Sequence, residues 1–255
     1  MERSEVLGVG ISPMTFQQAV DRAFDAVARP GFAGYVTVTG VHGVMESQDD
    51  PELLRIHNDA YMVTPDGMPM VWMAWANGYP ATERVYGPDL MLAVMNRSVS
   101  ERSKHFLFGG SDGVVDQLAD CLRRDVGDVR VVGKVTPPFR LLTDEEEQQL
   151  VADLQREQPH FLWVGLSTPK QERFMASFLA KYPDLTARWD HGLLLFGVGA
   201  AFDFHAGLVK QAPSWMQECG LEWFFRLCVE PRRLWKRYMK NNPRFVWKVL
   251  RRKLG

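Results

Sequence analysis

Six apolar runs of strand length alternate along the chain with longer segments whose apolar positions recur at the helical period. The runs at 35–39, 60–64, 105–108, 129–132, 161–165 and 193–198 predict strands buried on both faces. Helix starts lie between them. Thr15 with Gln18 fits a capping box, Asp112 is placed to cap 113–124, and Thr143 with Glu146 caps a run that lasts through Gln158. Such alternation predicts an α/β fold: a Rossmann-like, mostly parallel sheet with helices on both faces. Ligands in such a sheet bind at the carboxyl ends of strands. Near Ala212-Pro213 the pattern changes, and from there to the C-terminus Trp and Arg dominate. We therefore expect a core over 1–210 and a C-terminal helical appendage over 211–255.

Composition sharpens this division. The chain has 255 residues, 46% of them hydrophobic, enough for a sizeable core, and a formal net charge of −1. That average hides an asymmetry. From 231 to 255 there are ten Lys or Arg and no acid, which leaves 20 basic against 31 acidic residues before that point. A basic tail on an acidic body points to a polyanion or an anionic lipid surface. The N-terminus mixes charges with no apolar stretch, so no signal peptide is expected and the chain is expected to be cytoplasmic. The longest apolar run, 193–202, is far short of the roughly 20 residues that span a bilayer, so membrane contact is expected to be peripheral. Cys121, Cys219 and Cys228 form no CxxC pair and read as packing residues in helices.

Polar clusters follow the predicted strand ends. Thr37-Val38-Thr39-Gly40-Val41-His42 sets two hydroxyls on one strand face before a glycine and an imidazole; they are equally β-formers and a helix cap. Thr64-Pro65-Asp66-Gly67-Met68-Pro69 holds Asp66 at a strand mouth between a residue of fixed φ and a turn glycine. Asp66 is either a turn former or a general base, whose pKa the nearby Met70, Val71, Trp72 and Trp75 would raise by enclosure. Gly109-Gly110-Ser111-Asp112-Gly113 lets backbone amides approach a phosphate at a helix N-terminus, although the spacing is not GxGxxG. Lys170 and Gln171 fall in the first turn after Pro169, where a cation is unfavourable without a nearby anion. Asp203 follows the glycine-lined end 197–199 and is placed to meet a ribose hydroxyl. The six histidines form no HxxxH pair and no paired acids flank a strand end, so no metal site and no cofactor are expected.

With these residues in order, the sequence resembles the WecG/TagA/CpsF glycosyltransferase family of bacteria over nearly its whole length. The segments that carry the resemblance are Thr37 with His42, Thr64-Pro65-Asp66-Gly67, and Glu83-Arg84-Val85-Tyr86-Gly87-Pro88-Asp89-Leu90. They continue with Phe108-Gly109-Gly110, Pro169-Lys170-Gln171-Glu172, Gly197-Val198-Gly199 with Phe202-Asp203, and Gln211-Ala212-Pro213. The last are Leu221-Glu222-Trp223-Phe224-Phe225-Arg226-Leu227 and Glu230-Pro231-Arg232-Arg233.

The resemblance implies inverting, metal-independent transfer of a hexose-type sugar, N-acetylmannosamine or a relative of it. The donor would be a UDP-sugar and the acceptor a sugar on a polyprenyl diphosphate, in cell-surface polysaccharide synthesis. By position, Asp66 matches the family's proposed base and Thr37 the threonine beside it. Gln171 matches a donor-pocket glutamine, Asp203 an acid that holds the nucleoside, and Arg226, Arg233 and either Lys236 or Arg237 the arginines that close the site. Thr39 stands where family members commonly carry Asn, so the donor sugar is not carried over. Arg84 is a further diphosphate candidate, with Glu83 or Asp89 as rival ion-pair partners.

The tail fits such an acceptor. A helix starting at Asn241-Asn242-Pro243 would place Val246, Trp247, Leu250 and Leu254 on one face and Arg244, Lys248, Arg251 and Arg252 on the other. That pattern suits an anionic inner-membrane surface. Two other readings stand beside it: a nucleic-acid-binding protein that uses the basic, aromatic tail, and an inactive scaffold of a polysaccharide-assembly complex. The acidic body argues against nucleic acid. A homo-oligomer is compatible with the sequence.

Overall fold

The computed structural model describes residues 2–254, with side chains through 252. In chain order the first elements are β1 (Ser4–Val6), β2 (Val9–Ile11), α1 (Phe16–Val27), β3 (Ala33–Thr39), α2 (Val41–Ser47), α3 (Pro51–Asp59), β4 (Met62–Pro65) and α4 (Met68–Ala76). The middle holds α5 (Gly87–Glu101), β5 (Lys104–Gly109), α6 (Val114–Val126), β6 (Arg130–Val135), α7 (Asp144–Glu157), β7 (Phe161–Gly165), α8 (Lys170–Lys181), β8 (Leu193–Gly197) and α9 (Ala201–His205). Last come α10 (Ser214–Glu218), α11 (Glu222–Val229) and α12 (Pro231–Leu254). A six-stranded sheet has the order β4-β3-β8-β7-β5-β6, and the pairings β3–β8, β8–β7, β7–β5 and β5–β6 are parallel. All six predicted strands are present. The α/β reading is thus correct, and the antiparallel β1–β2 hairpin adds to it.

By contacts the chain divides into two units. One comprises Gln17–Thr37 and Gly87–Val209. Its centre is β7 and β8, where Phe161, Leu162, Trp163, Val164 and Leu193 to Phe196 are fully buried, as expected for strands covered on both faces. His105 lies inside this core. Its Nδ1 accepts from the Trp163 indole at 3.0 Å, and its Nε2 meets the Ser98 hydroxyl at 2.7 Å, which in turn donates to the Met95 carbonyl. Thr143 and Glu146 form the expected capping box on α7. The expected cap on α6 is corrected: its N-cap is Gly113 in a left-handed conformation (φ 78°), without a side-chain bond from Asp112. Glycine alone takes that backbone at no steric cost.

The other unit comprises Met1–Phe16, Val38–Tyr86 and Lys210–Gly255, so the C-terminal segment packs with the hairpin and with α2 to α4. Here the expected helix start at 241–243 is corrected. A single helix, α12, runs through Pro243, which costs one backbone hydrogen bond inside it. Leu234, Asn241 and Phe245 form its buried face. Several of its basic side chains contact other elements of this unit. Arg244 grips Asp49 through two bonds, Lys248 donates to Gln48, Lys240 lies 3.7 Å from Glu46, and Arg252 pairs with Glu5 at 2.7 Å. α12 also exposes an apolar row: Trp235, Met239, Val246, Trp247 and Leu250 are each at least half exposed. Leu254's side chain lies outside the described residues. Cys219 and Cys228 are exposed, not packed as expected, and Cys121 is half-buried.

Two core histidines make stability depend on pH. Burial pushes His105 down to about 3 and His57 down to about 4, from 6.5. Both are neutral in the fold, whereas the unfolded chain takes up a proton on each near pH 6.5. Their contribution is whole above that pH and is lost as pH falls toward the folded values, at up to about 1.4 kcal/mol per pH unit for each histidine. Urea midpoints should therefore drop between pH 6.5 and 5, where most carboxylates are still ionised. A flat midpoint over that window would contradict the neutral assignment.

Candidate active site

Asp66 is fixed by its backbone. In the unit that contains the chain termini, its amide donates to the Thr39 carbonyl at 3.0 Å, and the preceding Pro65 carbonyl accepts from Val85. Gly40 packs so closely that a Cβ there would lie 2.6 Å from the Asp66 carbonyl oxygen and 3.7 Å from Oδ2. Gly67, with φ 99°, then turns the chain into α4. The carboxylate is thus delivered to the mouth of β4 by two glycines and a proline. Of the side chains expected to enclose it, Trp72 and Trp75 are half exposed and Met70 and Val71 are buried. The aromatic group in electrostatic reach is Tyr86, whose phenol is pushed up by burial first, and then by the charges of Glu222 and Asp66.

Around Tyr86 lies a cluster of arginines. Arg84 pairs with Glu222 and not with Glu83 or Asp89; it also donates to Gln217 at 2.7 Å and stacks 4.1 Å over the Tyr86 ring. Glu83 instead accepts from the first amide of α1. Glu230 lies 3.6 Å from Arg226 and accepts from Arg233 at 2.6 Å. Burial opposes the charge on Arg226, but Tyr238, Tyr86, Glu222 and Glu230 outweigh it and hold its pKa above the usual value. Arg237 differs. Burial lowers its pKa, Arg226 and Arg233 repel it, and its Nε is buried without a hydrogen-bond partner. Arg84, Arg226 and Arg233 thus pair with Glu222 and Glu230, and Arg237 lies near Arg226 and Arg233, an arrangement suited to taking up an anion. Lys236 is exposed and lies 5.8 Å from the Trp235 ring.

Two further predicted contact residues lie in this unit. Thr39 is buried, and its hydroxyl lies 3.2 Å from His57 Nδ1. His42, in the first turn of α2, meets the Asn241 side chain of α12 at 2.9 Å and Glu46 at 3.7 Å.

In the other unit, three neighbouring strands end in glycine. Gly109 is in register with Gly165, and Gly197 with Thr37, which is fully buried. A Cβ on Gly109 would lie 2.6 Å from the Gly165 backbone, and its φ of 143° is itself costly for any other residue. Gly110 follows with φ 72° and donates to the Gly165 carbonyl. At Gly165 a Cβ would strike the Phe202 ring at 2.5 Å, so this glycine admits a core side chain and not a ligand. Gly109→Ala is expected to cost about 2–4 kcal/mol in urea denaturation; an unchanged midpoint would refute the crowding. Lys170 is exposed in the first turn of α8, while Gln171 beside it is buried. Asp203 lies on α9, and its carbonyl accepts from the Leu208 and Val209 amides.

Among the described residues no group of three or more His, Cys, Asp or Glu is placed to hold a metal ion. None of the described helices is long and apolar enough to cross a membrane.

The model of the Glycosyl transferase WecG/TagA/CpsF family matches residues 4–255. The chain belongs to this family. It is a glycosyltransferase. It is similar to N-acetylglucosaminyldiphosphoundecaprenol N-acetyl-beta-D-mannosaminyltransferase of Bacillus spizizenii, with 27% identity over 207 residues that span 81% of this chain and 74% of the relative.

The WecG/TagA/CpsF motifs acquire physical content from the geometry. The segment around Arg84 supplies both the guanidinium and the Tyr86 ring beneath it, and the segment around Arg226 supplies the Glu222 that pairs with Arg84. Reading the sequence missed Tyr86, Glu222 and Glu230 as site residues, and Asn241 as the partner of His42. The first three lie inside segments already singled out; the Arg84–Glu222 pair spans 138 residues and has no local signal, whereas Glu230 lies at helical spacing from Arg226 and Arg233.

Proposed function

We propose that this glycosyltransferase moves a hexose-type sugar, N-acetylmannosamine or a close relative, from a UDP-sugar to a sugar carried on a polyprenyl diphosphate. Transfer inverts the anomeric centre and needs no metal. The observation that carries the reading is the backbone-fixed carboxylate of Asp66 in the same unit as the cluster of Arg84, Arg226, Arg233 and Arg237. The Bacillus relative's name, which specifies a diphosphoundecaprenol-linked acceptor and a mannosaminyl donor group, supports the substrate classes.

In one displacement the acceptor hydroxyl attacks the anomeric carbon, its proton passes to the Asp66 carboxylate, and the bond to the UDP oxygen breaks on the opposite face. Charge that develops on the leaving diphosphate is met by Arg226, Arg233 and Arg237, with Arg84 held ready by Glu222; guanidinium forks suit phosphate oxygens. Thr37, Gln171 and Asp203 are assigned to the donor, and Lys170 and the Gly109-Gly110 amides to its phosphates.

A membrane-borne acceptor also accounts for α12. Its exposed row of Trp235, Met239, Val246, Trp247 and Leu250 suits the interface of a bilayer, with Arg251 stacked 5.3 Å from the Trp247 ring. Arg244, Lys248 and Arg252 are turned to Asp49, Gln48 and Glu5, which favours this reading over binding of nucleic acid. The test is a panel of UDP-sugars against a short-chain polyprenyl-diphosphate sugar, with product mass as readout and EDTA included. We expect one added hexose-type residue, in EDTA as without it. No product with any donor would refute the reading, and loss of product in EDTA would refute metal independence.

A further inference from the structure

The first turn of α8 carries two adjacent buried polar side chains, Gln171 at 3% exposure and Glu172 at 1%. One oxygen of Glu172, Oε1, accepts from the Thr168 hydroxyl at 2.8 Å and from Gln171 Nε2 at 3.1 Å. Because a carboxylate takes the nitrogen end of the amide, the orientation of Gln171 is fixed and its carbonyl oxygen points elsewhere. That oxygen, and Oε2 of Glu172, are buried and have no hydrogen-bond partner among the described residues. A buried acceptor left unsatisfied is costly, so two neighbouring ones mark a place where a donor is supplied from outside the chain.

Their position in the sheet narrows the ligand. A Cβ on Gly197 would lie 3.1 Å from Gln171 Nε2, and one on Gly199 would lie 3.5 Å from Gln171 Oε1. The glycines therefore leave room for this carboxamide at the end of β8. Gly197 is the register partner of Thr37, whereas Asp203, assigned to the nucleoside, lies on α9. A phosphate or carbonyl oxygen would be repelled by the Gln171 carbonyl oxygen, whereas a hydroxyl hydrogen satisfies it.

We infer that Glu172 is a positioning residue, and that it fixes Gln171 so that the Gln171 carbonyl accepts a hydrogen bond from a hydroxyl of the transferred sugar. The inference rests on the reading of the chain as a UDP-sugar transferase. Burial pushes the Glu172 carboxyl up. A proton taken up on Oε2 leaves Oε1 as the acceptor, so the carboxamide keeps its orientation in either state.

The test has two arms on the full chain. In the first, without ligand, hydrogen exchange of the Gln171 side-chain amide is monitored by NMR in wild type and in Glu172→Ala; slow exchange only in wild type supports the positioning role, and equal rates overturn it. In the second, calorimetry compares UDP with the tighter-binding of UDP-N-acetylmannosamine and UDP-N-acetylglucosamine. Glu172→Ala should lose about tenfold affinity for the UDP-sugar while UDP affinity stays within about twofold. Glu172→Gln, which keeps an acceptor oxygen at the same place, should remain within about threefold of wild type for both. Equal losses for UDP and UDP-sugar, or no loss, overturn the sugar contact. Wild type that binds neither compound overturns the reading as a UDP-sugar transferase together with the sugar contact, and the exchange arm still decides whether Glu172 positions Gln171.

Discussion

Replacing Asp66 with Asn is expected to lower sugar transfer by about 10²–10⁴-fold, the usual contribution of a general base, while UDP affinity stays within about twofold. The substitution keeps the size and shape of the side chain, so the amide bond from residue 66 to the Thr39 carbonyl and the close packing against Gly40 persist. Only the proton acceptor is lost. The acceptor hydroxyl must then be deprotonated by water, and the arginines that meet the diphosphate are untouched. Single-turnover rates with calorimetric UDP binding separate the two effects. Near-normal turnover in Asp66→Asn would remove Asp66 as the base, and a parallel loss of UDP affinity would turn it into a binding residue.

How much of the fold is legible in the sequence depends on how locally each feature is encoded. The central strands β7 and β8 are covered on both faces, so each leaves an unbroken apolar run, and the runs match the strands to within a residue at either end. The hairpin β1–β2 leaves no such mark because its strands are three residues long, with an exposed Glu5 in the first. Asp112 resembles an N-cap because the sequence does not show that Gly113 adopts φ 78° and opens α6 itself.

Long-range ion pairs are the least legible. Arg84 has acids close by in sequence at Glu83 and Asp89, yet its partner is Glu222, brought in by the fold. The same holds for Arg244 with Asp49 and Arg252 with Glu5. A helical wheel separates basic from apolar positions, but it cannot say which side faces the body. In α12 several cations dock on acids of their own unit, and the apolar row is left outside. At Asp66, in contrast, the Pro-Asp-Gly turn is a local signal, and the structure adds the close approach of Gly40.

The docking of these cations changes what should hold the protein to a membrane. Were the tail bound through charge, its ten Lys and Arg would each contribute about 1 kcal/mol near an anionic surface. With Arg244 and Arg252 paired to Asp49 and Glu5, and Lys240 within reach of Glu46 and Asp49, that sum is not available in full. Trp235, Trp247 and Leu250, each at least half exposed, have apolar surface left to bury, worth about 1 kcal/mol or more apiece. The variant carrying Trp235→Ser, Trp247→Ser and Leu250→Ser together is thus expected to bind vesicles of mixed neutral and anionic lipid about a hundredfold more weakly than wild type. Because these side chains lie outside the packed face of α12 formed by Leu234, Asn241 and Phe245, its thermal midpoint should stay close to that of wild type. Point substitution is the cleaner test, since removing α12 would strip the cover from the residues that Phe245 and Leu234 pack against. Vesicle sedimentation at low and high salt reads the result. Unaltered sedimentation of the triple variant, with wild-type binding abolished by salt, would return the membrane role to the basic residues.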